Sequence, residues 1–206
     1  MPARRLTDFE QVLLGLIAAW PSTGYDLKQQ FAHTPLGVYQ PSSGALYPAL
    51  RRLELRGLLQ ADRGGNGQAR RRFVYNITEQ GRAAHAAWVR QPVNPATIGA
   101  DLPLHLMRFV MMERLLTRAE VLGFLADLRD ALAAFLDNIE RYAAEAAPQL
   151  DGHHPALALE HGIATHAAGL AWVKRTINVL AAADGGLSPD QAQPSHPATT
   201  SLPAAR

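Results

Sequence analysis

The chain reads as a mainly α protein: a winged helix-turn-helix domain of three helices and a two-stranded wing, followed by a helical dimerisation domain. Three observations predict this. Apolar residues recur at helical spacing as far as Gly57, alternate with period two around a glycine-rich turn between Leu59 and Ile77, and return at heptad spacing from Val121 onward. The charge divides along the same lines. Residues 1–90 hold twelve Lys/Arg against six Asp/Glu, and residues 91–206 hold eight against twelve, so a basic first half precedes an acidic second half. That balance turns the first half toward a polyanion.

Thr7-Asp8-Phe9-Glu10 has the pattern of a capping box, in which hydroxyl and carboxylate satisfy backbone donors at a helix start. Phe9, Val12, Leu13, Leu16, Ile17 and Trp20 then form one apolar stripe, and Pro21 stops the helix. Ser22 or Thr23 caps a second helix with Leu27 and Phe31 turned inward. Pro35, Gly37 and Pro41 interrupt the chain before a third helix, "SSGALYPALRRLELRGLL", which Gly57 ends. Leu59 to Arg63 and Arg71 to Ile77 read as two strands joined by "GGNGQAR", with Phe73, Tyr75 and Ile77 on one face. Thr78 caps a fourth helix that runs to about Arg90.

After a proline-rich connector the pattern is helical again. Val121, Leu125, Leu128, Leu132, Phe135, Ile139 and Tyr142 form one a/d seam; Leu159, Ile163, His166, Leu170, Val173, Ile177 and Leu180 form a second. The expected division is residues 1–90 for DNA binding, 91–103 for the connector, 104–183 for the helical domain and 184–206 for a disordered tail rich in Pro, Ser, Ala and Thr. Leu125, Leu128, Leu132, Phe135, Ile139, Ile163, Leu170, Val173 and Ile177 are the apolar residues available to join two protomers, although the same seams could pack within one chain.

Composition excludes several classes. At 206 residues and 48% hydrophobic, the chain can bury a sizeable core in one or two domains. With no cysteine there is neither a disulfide nor a thiolate metal site, which suits the cytoplasm. The longest apolar run, Val12 to Trp20, is too short to span a bilayer. Arg4 and Arg5 before it mimic a secretion signal, but Asp8 and Glu10 interrupt the pattern. His153, His154, His161 and His166 do not make a metal centre: His161 and His166 are five apart, whereas a helical pair sharing a face needs three or four. No nucleophile motif or phosphate-cradling loop is present, so no enzyme activity, metal or cofactor is expected.

The chemistry concentrates in the third helix and the wing. Ser42, Ser43 and Gly44 place hydroxyls and free N–H groups at a helix start, which favours a phosphate. Tyr47 and Arg51 lie one turn apart on a face distinct from Leu46, Leu50 and Leu53. An ordinary N-cap, a core tyrosine and solvated arginines would also fit that helix alone. The wing decides the reading, because Arg63, Arg70, Arg71 and Arg72 crowd around its glycine-rich turn and repel one another unless an anion lies near. Farther along, Trp88, Met107, Phe109, Met111 and Trp172 are large adaptable apolar groups that could line an effector pocket between the two regions.

"LLGLIAAWPSTGYDLKQQF", "SSGALYPALRRLELRGLL" and "RRRFVYNITEQGR" together resemble the PadR family of bacterial winged-helix regulators, in order and spacing, over residues 9 to about 90. The resemblance implies a homodimeric repressor on a palindromic double-stranded DNA operator, released by a small aromatic or lipophilic ligand. It carries DNA contact onto Ser43, Tyr47, Arg51 and the wing arginines. The competing classes are a ligand-binding or protein-interaction module without sequence-specific DNA binding, and a small hydrolase built on the histidines.

Overall fold

The computed structural model describes residues 4–33, 43–62, 73–150 and 152–182. The element order is α1 (Asp8–Ala19), β1 (Ser22–Thr23), α2 (Gly24–His33), α3 (Ser43–Leu55), β2 (Leu59–Asp62), β3 (Val74–Ile77), α4 (Glu79–Val89), a 3₁₀ turn (Pro95–Thr97), α5 (Ile98–Met112), α6 (Arg118–Leu150) and α7 (His154–Ala182). The expected wing tip and the 184–206 tail lie outside the described residues.

α1 begins as its sequence predicts: Glu10 N–H donates to the Thr7 hydroxyl at 3.2 Å, and Thr7 N–H donates to the Glu10 carboxylate at 2.9 Å. Val12, Leu13, Leu14 and Ile17 are fully buried. Trp20, expected on the same stripe, is 47% exposed, because the helix has ended and its backbone is extended. The Thr23 hydroxyl caps α2 by accepting from Asp26 N–H at 3.1 Å, and Asp26 returns the bond to Thr23 N–H at 3.0 Å. Ser22 and Thr23 also pair with Tyr75 and Val74, adding a third strand to the predicted hairpin. The antiparallel sheet runs β1-β3-β2, with Leu59 opposite Ile77 and Asp62 opposite Val74.

The link from α3 through the sheet to α4 explains why Gly57, Thr78 and Gly81 stand where they do. Gly57 has φ +70°, a left-handed conformation that a side chain would strain. It lets Leu58 N–H reach back to Leu53 C=O at 3.0 Å, closing α3 with Leu53 and Leu58 both buried. The Thr78 hydroxyl donates to Gly57 C=O at 2.7 Å and accepts from Gly81 N–H at 3.0 Å, so one side chain ends α3 and starts α4. A Cβ on Gly81 would stand 2.1 Å from the Leu58 carbonyl oxygen, so only glycine fits this helix–strand contact.

The second half differs from expectation in two respects. α5 begins at Ile98, so the last six residues of the expected 91–103 connector are helix, with Pro103 inside it. Pro103 has no N–H for the Gly99 carbonyl one turn back. His166 Nε2 of α7 lies 3.0 Å from that oxygen and can supply the missing donor. The Phe135 ring rests on Gly99, where a Cβ would meet it at 2.7 Å, and packs against His166 with centroids 4.7 Å apart. One node thus ties α5, α6 and α7 together.

The second difference concerns the seams. Leu125, Leu128, Leu132 and Val173 are buried inside the single chain, in one core cluster shared with α1, α3 and α4. They are interior groups and have no surface to offer a partner. α5 and α7 lie along α6 and cover its first half, which heptad spacing alone does not decide. Ile139, Ile163, Leu170 and Ile177 stay half-buried, as does Phe135, while Leu157 and Val179 on α7 are 58% and 66% exposed.

Candidate nucleic-acid interface

α3 divides its residues cleanly between core and solvent. Leu46, Ala49, Leu50 and Leu53 are fully buried, whereas Tyr47 is 51% exposed and Arg51 lies on the same open side. Arg51 makes no hydrogen bond or ion pair among the described residues, so its guanidinium is available. Arg52 next to it is committed: its Nε donates to Glu10 Oε1 at 2.7 Å, binding α3 to the capping box of α1. Burial pushes the Glu10 carboxyl up, but the Thr7 N–H and the Arg52 guanidinium outweigh it and hold the group below the usual carboxylate range. Adjacent arginines therefore do opposite work, one fixing the helix and the other facing out.

Tyr47 is held by a neighbour that sequence reasoning missed. Its ring lies against Gly24 at the start of α2, where a Cβ would come within 2.6 Å of Cε1. Tyr25 beside that glycine is 61% exposed, and its hydroxyl accepts from Gln29 Nε2 at 2.6 Å. Tyr47 and Arg51 thus lie on the open side of α3, and Tyr25 is exposed at the start of α2. The available signal was the Gly-Tyr pair just after the Thr23 cap. Ser43 opens α3; Ser42, Arg63, Arg70, Arg71 and Arg72 lie outside the described residues.

Between the halves lies a cavity of about 740 Å³, bounded by α1, α4 and α5. Met107 and Met111 line it, together with Gly15, Leu16, His85 and Val110. Trp88, Phe109 and Trp172 do not. Trp88 is buried against the His85 ring with centroids 5.8 Å apart, and Phe109 meets Trp172 edge-on at 5.4 Å. The reason is helical phase: Met107 and Met111, one turn apart, face α1, while Phe109 falls on the side toward α7.

The junction beside this cavity is polar and buried. Arg108 of α5 donates from Nη2 to the Val89 carbonyl at 3.0 Å and to the Gln91 carbonyl, capping the end of α4. Its Nη1 lies 3.3 Å from His105 Nδ1, and the guanidinium sits 5.1 Å above the Phe124 ring. Burial pushes the Arg108 pKa down; burial and then the Arg108 charge push His105 down. Burial also pushes His85 down to about 4 against a hydrogen bond to the Gln11 backbone, so the ring is neutral at pH 7. Outside the chain's middle, Arg90 binds Glu120 at 3.3 Å and the Leu115 carbonyl at 2.9 Å. His153, His154 and His161 are exposed. Among the described residues no cluster of His, Asp and Glu could hold a metal, and no helix is long and apolar enough to cross a membrane.

Three helices, a sheet pairing a short strand with a hairpin, and an exposed tyrosine–arginine face on the third helix define a winged helix-turn-helix protein. Residues 13–87 match the model of the transcriptional regulator PadR-like family. Solved structures that match the chain include the PadR-like transcriptional regulator BC1756 of Bacillus cereus, at 22% identity over 84% of this chain and 98% of that one, with a TM-score of 0.36. Bacillus subtilis PadR in complex with operator DNA is 20% identical over 83% and 98%, with a TM-score of 0.40. The same protein in complex with p-coumaric acid is 18% identical over 85% and 99%, with a TM-score of 0.38. No curated protein matches the chain.

Proposed function

We propose that this chain is a PadR-type transcriptional regulator, a cytoplasmic, non-enzymatic homodimer that represses by holding a palindromic operator and releases it when a small aromatic or lipophilic molecule enters the α1–α4–α5 cavity. The observation that carries the reading is the division of labour on α3. Arg52 is tied back to Glu10, so the helix is rigidly aimed, and Tyr47 and Arg51 are left on its open face. A helix so held can enter a major groove with Arg51 at base edges and Tyr47 against the backbone. Ser42, Ser43, Arg63, Arg70, Arg71 and Arg72 would add phosphate contacts on the strength of charge and position alone.

A dimer is needed because one helix reads too few base pairs; two must reach major-groove faces ~34 Å apart. α7 supports it, since Leu157 and Val179 are open and Ile163 and Ile177 only half covered. Sequence selection from a random duplex pool tests the whole reading. It should return a two-fold symmetric site, and the protein should sediment as a dimer at micromolar concentration. A pool with no enriched sequence would leave a binding module without specific DNA recognition; a monomer would remove the dimer.

A further inference from the structure

A second cavity, of about 490 Å³, lies beside the start of α1, and its wall gathers cations that have no partner. Arg4 and Arg5 come from the segment before α1, Arg56 from the end of α3, and Trp88 and Gln91 from the end of α4. Asp8 supplies the one carboxylate of the wall. Among the described residues, no side-chain hydrogen bond or ion pair holds Arg4, Arg5 or Arg56, although Arg4 is close enough to attract the Glu10 carboxylate. A further cation stands behind the wall. Arg108, only 3% exposed, donates to the Gln91 carbonyl, and the carboxylate that attracts it is Asp8.

This cationic wall is not the open side of α3. Arg56 N–H still bonds the Arg52 carbonyl at 3.0 Å, so the helical phase carries on to it. At ~100° per residue, Arg56 lies about 180° around the helix from Tyr47. It falls one turn after Arg52, whose guanidinium is bound to Glu10 of α1. A duplex lying against Tyr47 and Arg51 would thus have Arg56 on the far side of the helix. A lone exposed arginine is well solvated, but three that converge from distant parts of the chain repel one another, and a shared anion removes that repulsion. Asp8 works against any anion, so a singly charged group gains little and a multiply charged one is favoured.

We propose that the cavity beside the start of α1 binds a small molecule carrying a diphosphate group, whose oxygens bridge Arg4 and Arg5 to Arg56. Guanidinium groups suit this chemistry, since their planar fork pairs with two phosphate oxygens at once. Gln91, exposed in the same wall, can donate to or accept from whatever the diphosphate carries. The volume lies within the range of small-molecule sites and admits a nucleoside on the diphosphate. A bound diphosphate ties the segment before α1 to the end of α3, one turn from the Arg52–Glu10 pair. The site stands apart from the operator and effector reading and does not depend on it.

Calorimetry of the full-length protein with pyrophosphate, adenosine diphosphate and orthophosphate, at moderate salt and without magnesium, tests the proposal. The better diphosphate should bind about tenfold more tightly than orthophosphate. Tighter binding of adenosine diphosphate assigns the site to a nucleotide, and tighter binding of pyrophosphate to the inorganic anion; either supports it. Arg56→Gln should weaken the diphosphate about tenfold, as should Arg4→Gln combined with Arg5→Gln. If Arg56→Gln fails to fold, the double substitution at the exposed Arg4 and Arg5 decides alone. Arg51→Gln, on the open side of α3, should leave diphosphate binding unchanged. No binding at millimolar diphosphate overturns the proposal, as does orthophosphate binding equally well or binding that survives both substitutions. An equal loss in Arg51→Gln overturns it too, since the general charge of the basic half would then account for the binding. So does a loss of affinity for scrambled duplex in Arg56→Gln as large as its loss for diphosphate, which would give the arginines to the DNA backbone.

Discussion

Two buried polar clusters, one under α3 and one between the halves, are built in contrasting ways. Under α3, Glu10 accepts from Thr7 N–H and from Arg52 Nε, so a fully buried carboxylate meets a donor and an opposite charge. At the α4–α5 junction, Arg108 has carbonyls and a ring, and the Asp8 carboxylate attracts it without forming an ion pair among the described residues. Among the described residues, three of the four buried side-chain polar atoms without a partner lie there: His85 Nδ1, His105 Nε2 and Arg108 Nε; the fourth is Gln11 Oε1. Buried polar atoms are nearly always satisfied, so a group of exceptions marks a place that has given up stability. The first half is locked by a satisfied ion pair, whereas the joint to the helical half holds buried polar atoms without partners.

The largest test of that contrast is acid. His85 prefers to be neutral in the folded chain, with its pKa near 4 against an ordinary 6.5. Its stabilising contribution is therefore complete above pH 6.5 and is lost as pH falls toward 4, by about 3 kcal/mol at 1.36 kcal/mol per pH unit. His105, also pushed down, adds in the same direction. Thermal melts at pH 7 and pH 4.5 should show a large drop for the wild type and a clearly smaller one for His85→Leu. Equal drops would mean the junction histidine is not strained.

The locked cluster should respond to mutation in place of acid alone. Glu10→Ala removes the cap and strands Arg52, and should cost about 2 kcal/mol by denaturant unfolding at pH 7. Arg108→Met should cost about 1 kcal/mol or less, because losing its bonds is offset by relieving a buried cation that only the attraction of Asp8, and no ion pair, compensates. If Arg108→Met proves the more damaging of the two, the contrast between the clusters is wrong.

On the open face of α3, substitutions should leave folding alone and act on DNA. Arg51→Ala should weaken the selected operator about tenfold at moderate salt, with far less effect on scrambled duplex and an unchanged melting temperature. Tyr47→Phe keeps the ring on Gly24 and removes only the hydroxyl, so a loss of about threefold is expected. A fall in melting temperature with unchanged DNA affinity would make Tyr47 a packing residue.

Much of the first half was legible because its signals are local. Thr7 and Glu10, Thr78 and Gly81, and Gly57 after Leu55 act within a few residues, so spacing alone reveals the capping box, the helix start and the helix end. The buried leucines of α3 follow the same logic, since a 3.6-residue period states which side turns inward. What pairs across distance was not legible. Nothing in the sequence marks Arg52 rather than Arg51 as the partner of Glu10, forty-two residues earlier. Nor does it mark Gly24 as the seat of Tyr47, or His166 as the donor for a carbonyl freed by Pro103.

The sequence by itself therefore determined where helices and strands begin, which faces are apolar, and which half is basic, because backbone geometry and local capping settle these within one or two turns. Only the tertiary structure decided how those faces were used. Leu125, Leu128, Leu132 and Val173 became interior groups of one chain because α5 and α7 cover them, although a heptad seam fits a neighbour in the same chain or in another equally well. It also decided that Met107 and Met111 share a cavity with His85 while Trp88 and Phe109 do not. That outcome depends on the phase at which α1, α4 and α5 meet, which is set by packing at Gly15 and Arg108 and by no periodicity within any one helix.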